Sequence, residues 1–164
     1  IKSPDEWQPI DGSLSAIADL TNHGFTVTIA TNQSAVNRQL IDEKMLLSIH
    51  EKMLTLIAKH GGKIDQIAYC PHRPNEGCFC RKPATGMFEQ LSTYYRQDLT
   101  GVPYIGDSLK DLDAAAAFKL QPVLVLTGNG HQTLCQVKQQ QRFVPVFRNL
   151  NTAVNAIINN NLKA

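Results

Sequence analysis

No apolar run in this sequence approaches the roughly 20 residues that a membrane-spanning helix needs, so no transmembrane helix is expected. The opening IKSPDEWQPI also lacks the basic and then apolar sections of a secretory signal, and a cytoplasmic protein is expected. Repeats, low-complexity tracts and Gly/Ser linkers are absent, which leaves no sign of a repeat array or of a linker between domains. Charge of one sign is lacking too. Sixteen basic side chains face fourteen acidic ones without long runs, so no broad field would hold a nucleic acid or an anionic membrane, and any phosphate recognition must be local. Cysteine is scarce: of four in the chain, three fall in the eleven residues Cys70–Cys80 together with His72, a grouping that in a reducing compartment indicates metal binding over a disulfide framework. Cys135 stands apart and reads as an ordinary structural residue.

What is present is enough for one core. With 164 residues and 43% hydrophobic content, the expectation is a single domain over residues 1–164. Short apolar runs alternate with segments of helical period, as in a layered α/β domain. Helices are expected over 13–22, about 42–60, near 85–96, 109–118, near 131–140 and 151–161, the second of them amphipathic through Met45, Leu46, Ile49, Met53, Leu54 and Ile57. Between them FTVTIA (25–30), QIAY (66–69), VPYI (102–105), PVLVL (122–126) and VPVF (144–147) read as strands. Strands separated by helices cannot form hairpins, so a mainly parallel sheet with helices on both faces, a three-layer α/β/α fold, is expected. Such sheets bind ligands beyond the carboxyl ends of their strands, where TNQS (31–34) and GDS (106–108) fall, and the two strand ends are expected to meet at one crevice.

Cys70-Pro-His72 and Cys78-Phe-Cys80 supply three sulfurs and one imidazole, the donor set of a closed tetrahedral structural Zn2+ site. Pro74 and Gly77 in the connecting RPNEG allow the chain to fold back and bring the pairs together. Four protein ligands leave no open position for activating water, so this metal organises structure and fixes where the following cations, Arg81 and Lys82, point.

Thr31, Asn32, Gln33 and Ser34 offer hydroxyl, amide and backbone N–H groups suited to phosphate oxygens, although a turn and helix cap would use the same residue types. Further on, Gly106 is expected to permit a tight turn, Asp107 presents a hard carboxylate suited to Mg2+, and Asp111 lies four residues on, on the same helical face. The plainer reading is that Asp107 or Ser108 caps the next helix.

Taken in order, TNQS, RKP (81–83), GDSLKD (106–111) and the CPH…CxC loop resemble the phosphatases of the haloacid-dehalogenase superfamily, in the group acting on heptose bisphosphate and histidinol phosphate. Even SPDEW…PIDGS looks like that family's segment before its first helix. The resemblance implies a Mg2+-dependent phosphatase working through an aspartyl-phosphate intermediate on a small phosphorylated sugar. It points to the 7-phosphate of D-glycero-D-manno-heptose 1,7-bisphosphate, on the route to lipopolysaccharide core heptose; a monomer is expected, and the charge balance and hydropathy above lead to the expectation of no nucleic-acid or membrane partner. By the same resemblance Thr31 would hydrogen-bond the transferring phosphoryl group, Asn32, Gln33 and Ser34 would shape the substrate site and Arg81 would contact substrate. Lys82 would neutralise nucleophile and phosphoryl charge, Asp107 would bind Mg2+, Asp111 would orient that shell, and Ser108 would be a further phosphate contact. The physical need is plain: a dianionic phosphate is repelled by a carboxylate nucleophile unless cations offset the charge. A histidinol-phosphate phosphatase, a polynucleotide 3′-phosphatase domain and an inactive zinc-stapled binding module are the competing readings.

The sequence departs from the family in one large respect. The family's nucleophile and general acid form a DxDGT-type motif after the first, central strand, and nothing of that kind occurs before residue 12. The one D-x-D, Asp111-Leu112-Asp113, lies inside an expected helix and is no substitute. The expectation is therefore an N-terminally incomplete domain whose missing strand and motif occupy roughly 10–20 residues. Ala35 and Gln39 also stand where the family usually has glycine, and Ser108 where it often has lysine.

Overall fold

The structure, a computed structural model, describes residues 1–162. They fall into two compact units, one from Ile1 to Arg81 and one from Lys82 onward.

In the first unit, helix α1 (Ser13–Asn22) stops where Gly24 turns the chain with φ +79°, and strand β1 follows over Thr28–Asn32. The strand begins later than the apolar run FTVTIA and takes in two polar residues. The cause is its partner. Strand β2 (Gln66–Cys70) runs parallel with Thr28 opposite Gln66 and Asn32 opposite Cys70, so the ladder covers only the stretch where both chains are extended side by side. Between the strands, helix α2 (Glu43–Lys59) starts at Asp42, whose carboxylate accepts the Met45 N–H at 2.7 Å. It buries Leu46, Ile49 and Ile57, and the first two pack with Ile41, Trp7, Val36 and Tyr69. Met45, expected on that face, is exposed. Gly62 lets the chain pass close by: a Cβ there would stand 3.0 Å from side-chain carbons of Ile17 and Ile57.

The second unit runs helix α3 (Gly86–Tyr95), strand β3 (Pro103–Gly106), helix α4 (Leu109–Ala117), strand β4 (Gln121–Val125), helix α5 (Gly130–Gln139), strand β5 (Val146–Phe147) and helix α6 (Leu150–Ile158). Its three strands pair in the order β3-β4-β5, all parallel. Leu112 from α4, Leu124 from β4 and Val137 from α5 form one core cluster with Val144, and Val123, Val125 and Ala153 form another. The last strand is shorter than VPVF suggests because Pro145 has no N–H to give the ladder, although its carbonyl accepts from Leu124 at 2.9 Å. The elements are thus those the patterning predicts. Within the units the strands pair in parallel, β1 with β2 in the first and in the order β3-β4-β5 in the second. No helix among the described residues is long and apolar enough to cross a membrane.

Candidate functional site

Cys70 closes β2, so the parallel ladder itself delivers the first sulfur of the Cys/His loop. The four candidate donor atoms, Sγ of Cys70, Cys78 and Cys80 and an imidazole nitrogen of His72, all lie within 4.8 Å of one another. Individual separations are 3.6 Å from Cys70 to Cys78, 3.1 Å from Cys70 to Cys80, and 3.6 and 3.2 Å from His72 Nδ1 to Cys70 and Cys80. Tetrahedral ligands about 2.3 Å from a zinc ion stand about 3.7 Å apart, so donors at 3.1 to 3.6 Å in four pairs and within 4.8 Å in the rest need only small adjustments to accept one. Its electrostatics also call for a cation. Burial, with hydrogen bonds and repulsion from Cys70 and Cys78, pushes the Cys80 thiol up to about 12, and burial raises Cys70 as well. Cys78 goes the other way: against the effect of burial, the Arg81 backbone N–H and the Cys70 and Cys80 thiols hydrogen-bond its sulfur and lower it, so a divalent cation is what would let all three sulfurs ionise together. Cys135 is exposed on α5.

The loop is tied directly to the TNQS segment. Gln33 N–H donates to the Cys70 carbonyl at 2.7 Å, extending the ladder by one bond beyond Asn32. Arg73, inside the Cys/His loop, donates through Nε and Nη2 to the Asn37 carbonyl at 3.0 and 2.6 Å, and Asn37 Nδ2 returns a bond to Glu76 at 2.6 Å. Within TNQS, Gln33 Nε2 donates to the Thr31 hydroxyl at 3.2 Å, and the Ser34 carbonyl accepts from Arg38 N–H. Gln39 adopts φ +56°, the left-handed region that glycine enters freely. Arg81 Nη1 donates to the His72 carbonyl at 2.9 Å, which fixes this cation to the loop through the backbone of a candidate zinc ligand.

Lys82 is held differently. In the second unit its side chain is only 8% exposed, and its ammonium pairs with Asp111 Oδ1 at 2.7 Å and donates to the Tyr104 hydroxyl at 2.7 Å. Phe88 packs edge-on against Tyr104, with ring centroids 4.8 Å apart. Burial and the charges of Asp111 and Asp107 drive the Tyr104 phenol well above its ordinary value, so it stays a neutral partner. The other oxygen of Asp111, Oδ2, accepts from Ser108 Oγ at 2.6 Å and Ser108 N–H at 3.1 Å, while Asp111 N–H points back to Ser108 Oγ at 3.4 Å. That is a capping box, and the plainer reading of Ser108 as a helix cap describes its geometry.

Gly106 corrects the sequence reading. It is not a positive-φ turn residue; glycine is needed because a Cβ there would collide with the Asp111 side chain. Asp107, next in the chain, does not join Lys82 in an ion pair. Its Oδ2 accepts from Asn129 N–H at 2.7 Å and Asn129 Nδ2 at 3.1 Å, and its carbonyl accepts from Thr133 Oγ1 at 2.7 Å. Neutral amides leave the Asp107 charge uncompensated, as a Mg2+ ligand requires, and Mg2+ commonly takes only one or two protein carboxylates beside water and phosphate. Asp113, the second aspartate of the D-x-D, pairs with Arg142, which supports rejecting that motif as a nucleophile. Tyr104, Asn129 and Thr133 escaped sequence reasoning. The signal for Asn129 was there: TGNG lies at the carboxyl end of β4, where ligand-site residues collect in parallel sheets.

Residues 79–153 match the family described as HAD-hydrolase-like. Over 136 residues the chain is 52% identical to the D-glycero-beta-D-manno-heptose-1,7-bisphosphate 7-phosphatase of Bordetella bronchiseptica, covering 83% of this chain and 76% of that protein. It is 48% identical over 134 residues to the enzyme of the same name from Pseudomonas aeruginosa, covering 82% and 75%. Among solved structures, the D,D-heptose 1,7-bisphosphate phosphatase of B. bronchiseptica, complexed with magnesium and phosphate, superposes with a TM-score of 0.92 at 45% identity, over 98% of this chain and 89% of that one.

Proposed function

Because this chain belongs to the haloacid-dehalogenase superfamily, in its heptose-bisphosphate phosphatase family, we propose that it hydrolyses the 7-phosphate of D-glycero-β-D-manno-heptose 1,7-bisphosphate. Water adds across the ester, so inorganic phosphate leaves, the C7 hydroxyl returns and the 1-phosphate stays. The observation that carries the reading is the pairing of 52% identity to a named enzyme with a buried Lys82–Asp111 pair beside an Asp107 whose partners are neutral.

The proposed roles follow from what each group offers. Thr31 donates its hydroxyl to a phosphoryl oxygen, and Asn32, Gln33 and Ser34 shape the ground around it. Arg81 gives its remaining guanidinium N–H groups to the substrate, in the planar geometry that suits phosphate. Lys82 is held by its ion pair with Asp111 and its bond to Tyr104, so its ammonium can offset charge on the phosphoryl group and on the carboxylate that attacks it. Asp107 is the protein's carboxylate ligand for Mg2+, which when bound supplies charge neutralisation at the phosphoryl oxygens. The family's aspartyl-phosphate route is part of this proposal. Zn2+ on Cys70, His72, Cys78 and Cys80 takes no step of the reaction and holds Arg73 and Arg81 in place.

Phosphate release from the β-anomer, the α-anomer and histidinol phosphate, measured with and without Mg2+, tests the reading. The expected order puts the β-anomer first, with no turnover in EDTA. Preference for histidinol phosphate would overturn the substrate assignment, and Mg2+-independent turnover would overturn the mechanism.

A further inference from the structure

Asp107 is gripped from three directions by the segment that follows β4. Its Oδ2 takes two N–H bonds from one residue, the backbone and side-chain amides of Asn129 at 2.7 and 3.1 Å. Its carbonyl oxygen takes the hydroxyl of Thr133, a side chain buried to 2% exposure in α5. Gly128, at φ +59°, lies so close that a Cβ would strike the Asp107 carboxylate. A free aspartate samples several χ1 and χ2 settings, and a metal must then meet the cost of ordering it. Here the setting is fixed in advance.

We propose that Asn129 is a positioning residue for the Mg2+ site: it holds Asp107 Oδ2 so that Oδ1, which accepts neither Asn129 bond, is the oxygen presented to the cation. Gly128 gives the clearance for this grip and Thr133 anchors the backbone beneath it. The inference rests on the phosphatase reading of Asp107 and adds to it the residues that aim the ligand. Asp111 supplies the contrast. Its two oxygens are occupied by Lys82 and Ser108, so its charge is compensated within the protein. Asp107 is restrained as firmly, but by neutral donors, and only such restraint leaves the full charge for a divalent ion.

The test compares the unsubstituted protein with Asn129→Ala, Asn129→Ser and Asn129→Asp. One readout is the apparent Kd for Mg2+ from the thermal shift with inorganic phosphate present. The other is the Mg2+ concentration giving half-maximal turnover. Loss of an outer-shell partner to a metal ligand typically costs about 10- to 100-fold in affinity. For Asn129→Ala, which keeps the backbone bond, about tenfold weaker Mg2+ binding is expected, with kcat mostly recovered at saturating Mg2+. Asn129→Ser should recover part of the affinity through its hydroxyl, while Asn129→Asp, which faces Oδ2 with an acceptor, should lose more than alanine. Unchanged Mg2+ binding in both the alanine and aspartate variants would overturn the assignment, as would a kcat loss that no Mg2+ concentration restores. The thermal-shift Kd needs no turnover, so a protein that binds Mg2+ but leaves heptose bisphosphate intact would refute the substrate reading while the positioning role is still read from the variants.

Discussion

Arg81 and Lys82 are neighbours in sequence, and their cationic groups are held by different physics. Arg81 closes the first unit and is bonded to the backbone of His72, so its position depends on a loop whose Cys/His cluster could hold a metal ion. Lys82 opens the second unit and is set by a buried carboxylate, a phenol and the aromatic packing behind it. The loop around Arg81 is short and polar, without enough apolar surface to define its shape, and ligand bonds replace a core. Around Lys82 the core exists, and the ammonium is buried because Asp111 makes that tolerable.

The largest separation between the two regions should come from removing zinc. In small zinc-dependent folds the metal contributes on the order of 10 kcal/mol. Chelation, or Cys80→Ser, is therefore expected to abolish amide-exchange protection across residues 70–81 and at Gln33, whose N–H bonds the Cys70 carbonyl, while protection in β4 and α4 persists. Equal loss in both units would erase the distinction drawn here. Next in size is Lys82→Ala. Leaving Asp111 buried without its partner should cost about 3–5 kcal/mol in denaturant melts. Pairing Lys82→Met with Asp111→Leu should recover much of that stability while activity stays lost, which would separate the pair's structural part from its catalytic one. A double variant as unstable as the single one would contradict the ion-pair account.

A smaller effect is expected from Tyr104→Phe, which removes one hydrogen bond to Lys82 and keeps the ring against Phe88: about 1 kcal/mol in stability and a reduced kcat with KM nearly unchanged. The smallest is a pH effect confined to the first unit. Burial lowers the pKa of His50 below its ordinary 6.5, so the unfolded chain takes up this proton before the folded one does. His50 thus leaves stability intact above about pH 6.5 and erodes it as pH falls from there toward the lower folded value. His50→Gln should flatten the melting curve's pH dependence between pH 6.5 and 5, and an unaltered slope would assign that dependence to other groups.

The sequence carried the zinc loop almost completely, because cysteine and histidine are uncommon enough that four in a short polar segment define their own chemistry. It also carried the element order, since periodicity near 3.6 alternates with β-branched runs throughout. What it could not carry is proximity. Tyr104 sits in an apolar strand and looks like core, and only the fold shows its hydroxyl on Lys82. Asn129 lies 22 residues from Asp107 and meets it because β3 and β4 are parallel neighbours that end side by side. Gly106 signalled a constraint but not its nature: crowding by Asp111 and a tight turn ask for the same residue. The start of β1 was misplaced because apolar character alone cannot report where a partner strand begins.

The most direct test of the central claim is phosphate release by the protein from D-glycero-β-D-manno-heptose 1,7-bisphosphate in Mg2+, set against its Asp107→Asn variant. The account predicts one phosphate per sugar, taken from C7, and a fall in kcat of about 10²- to 10³-fold when the carboxylate is neutralised. Release from C1, or an Asp107→Asn variant as active as the unsubstituted protein, would contradict it.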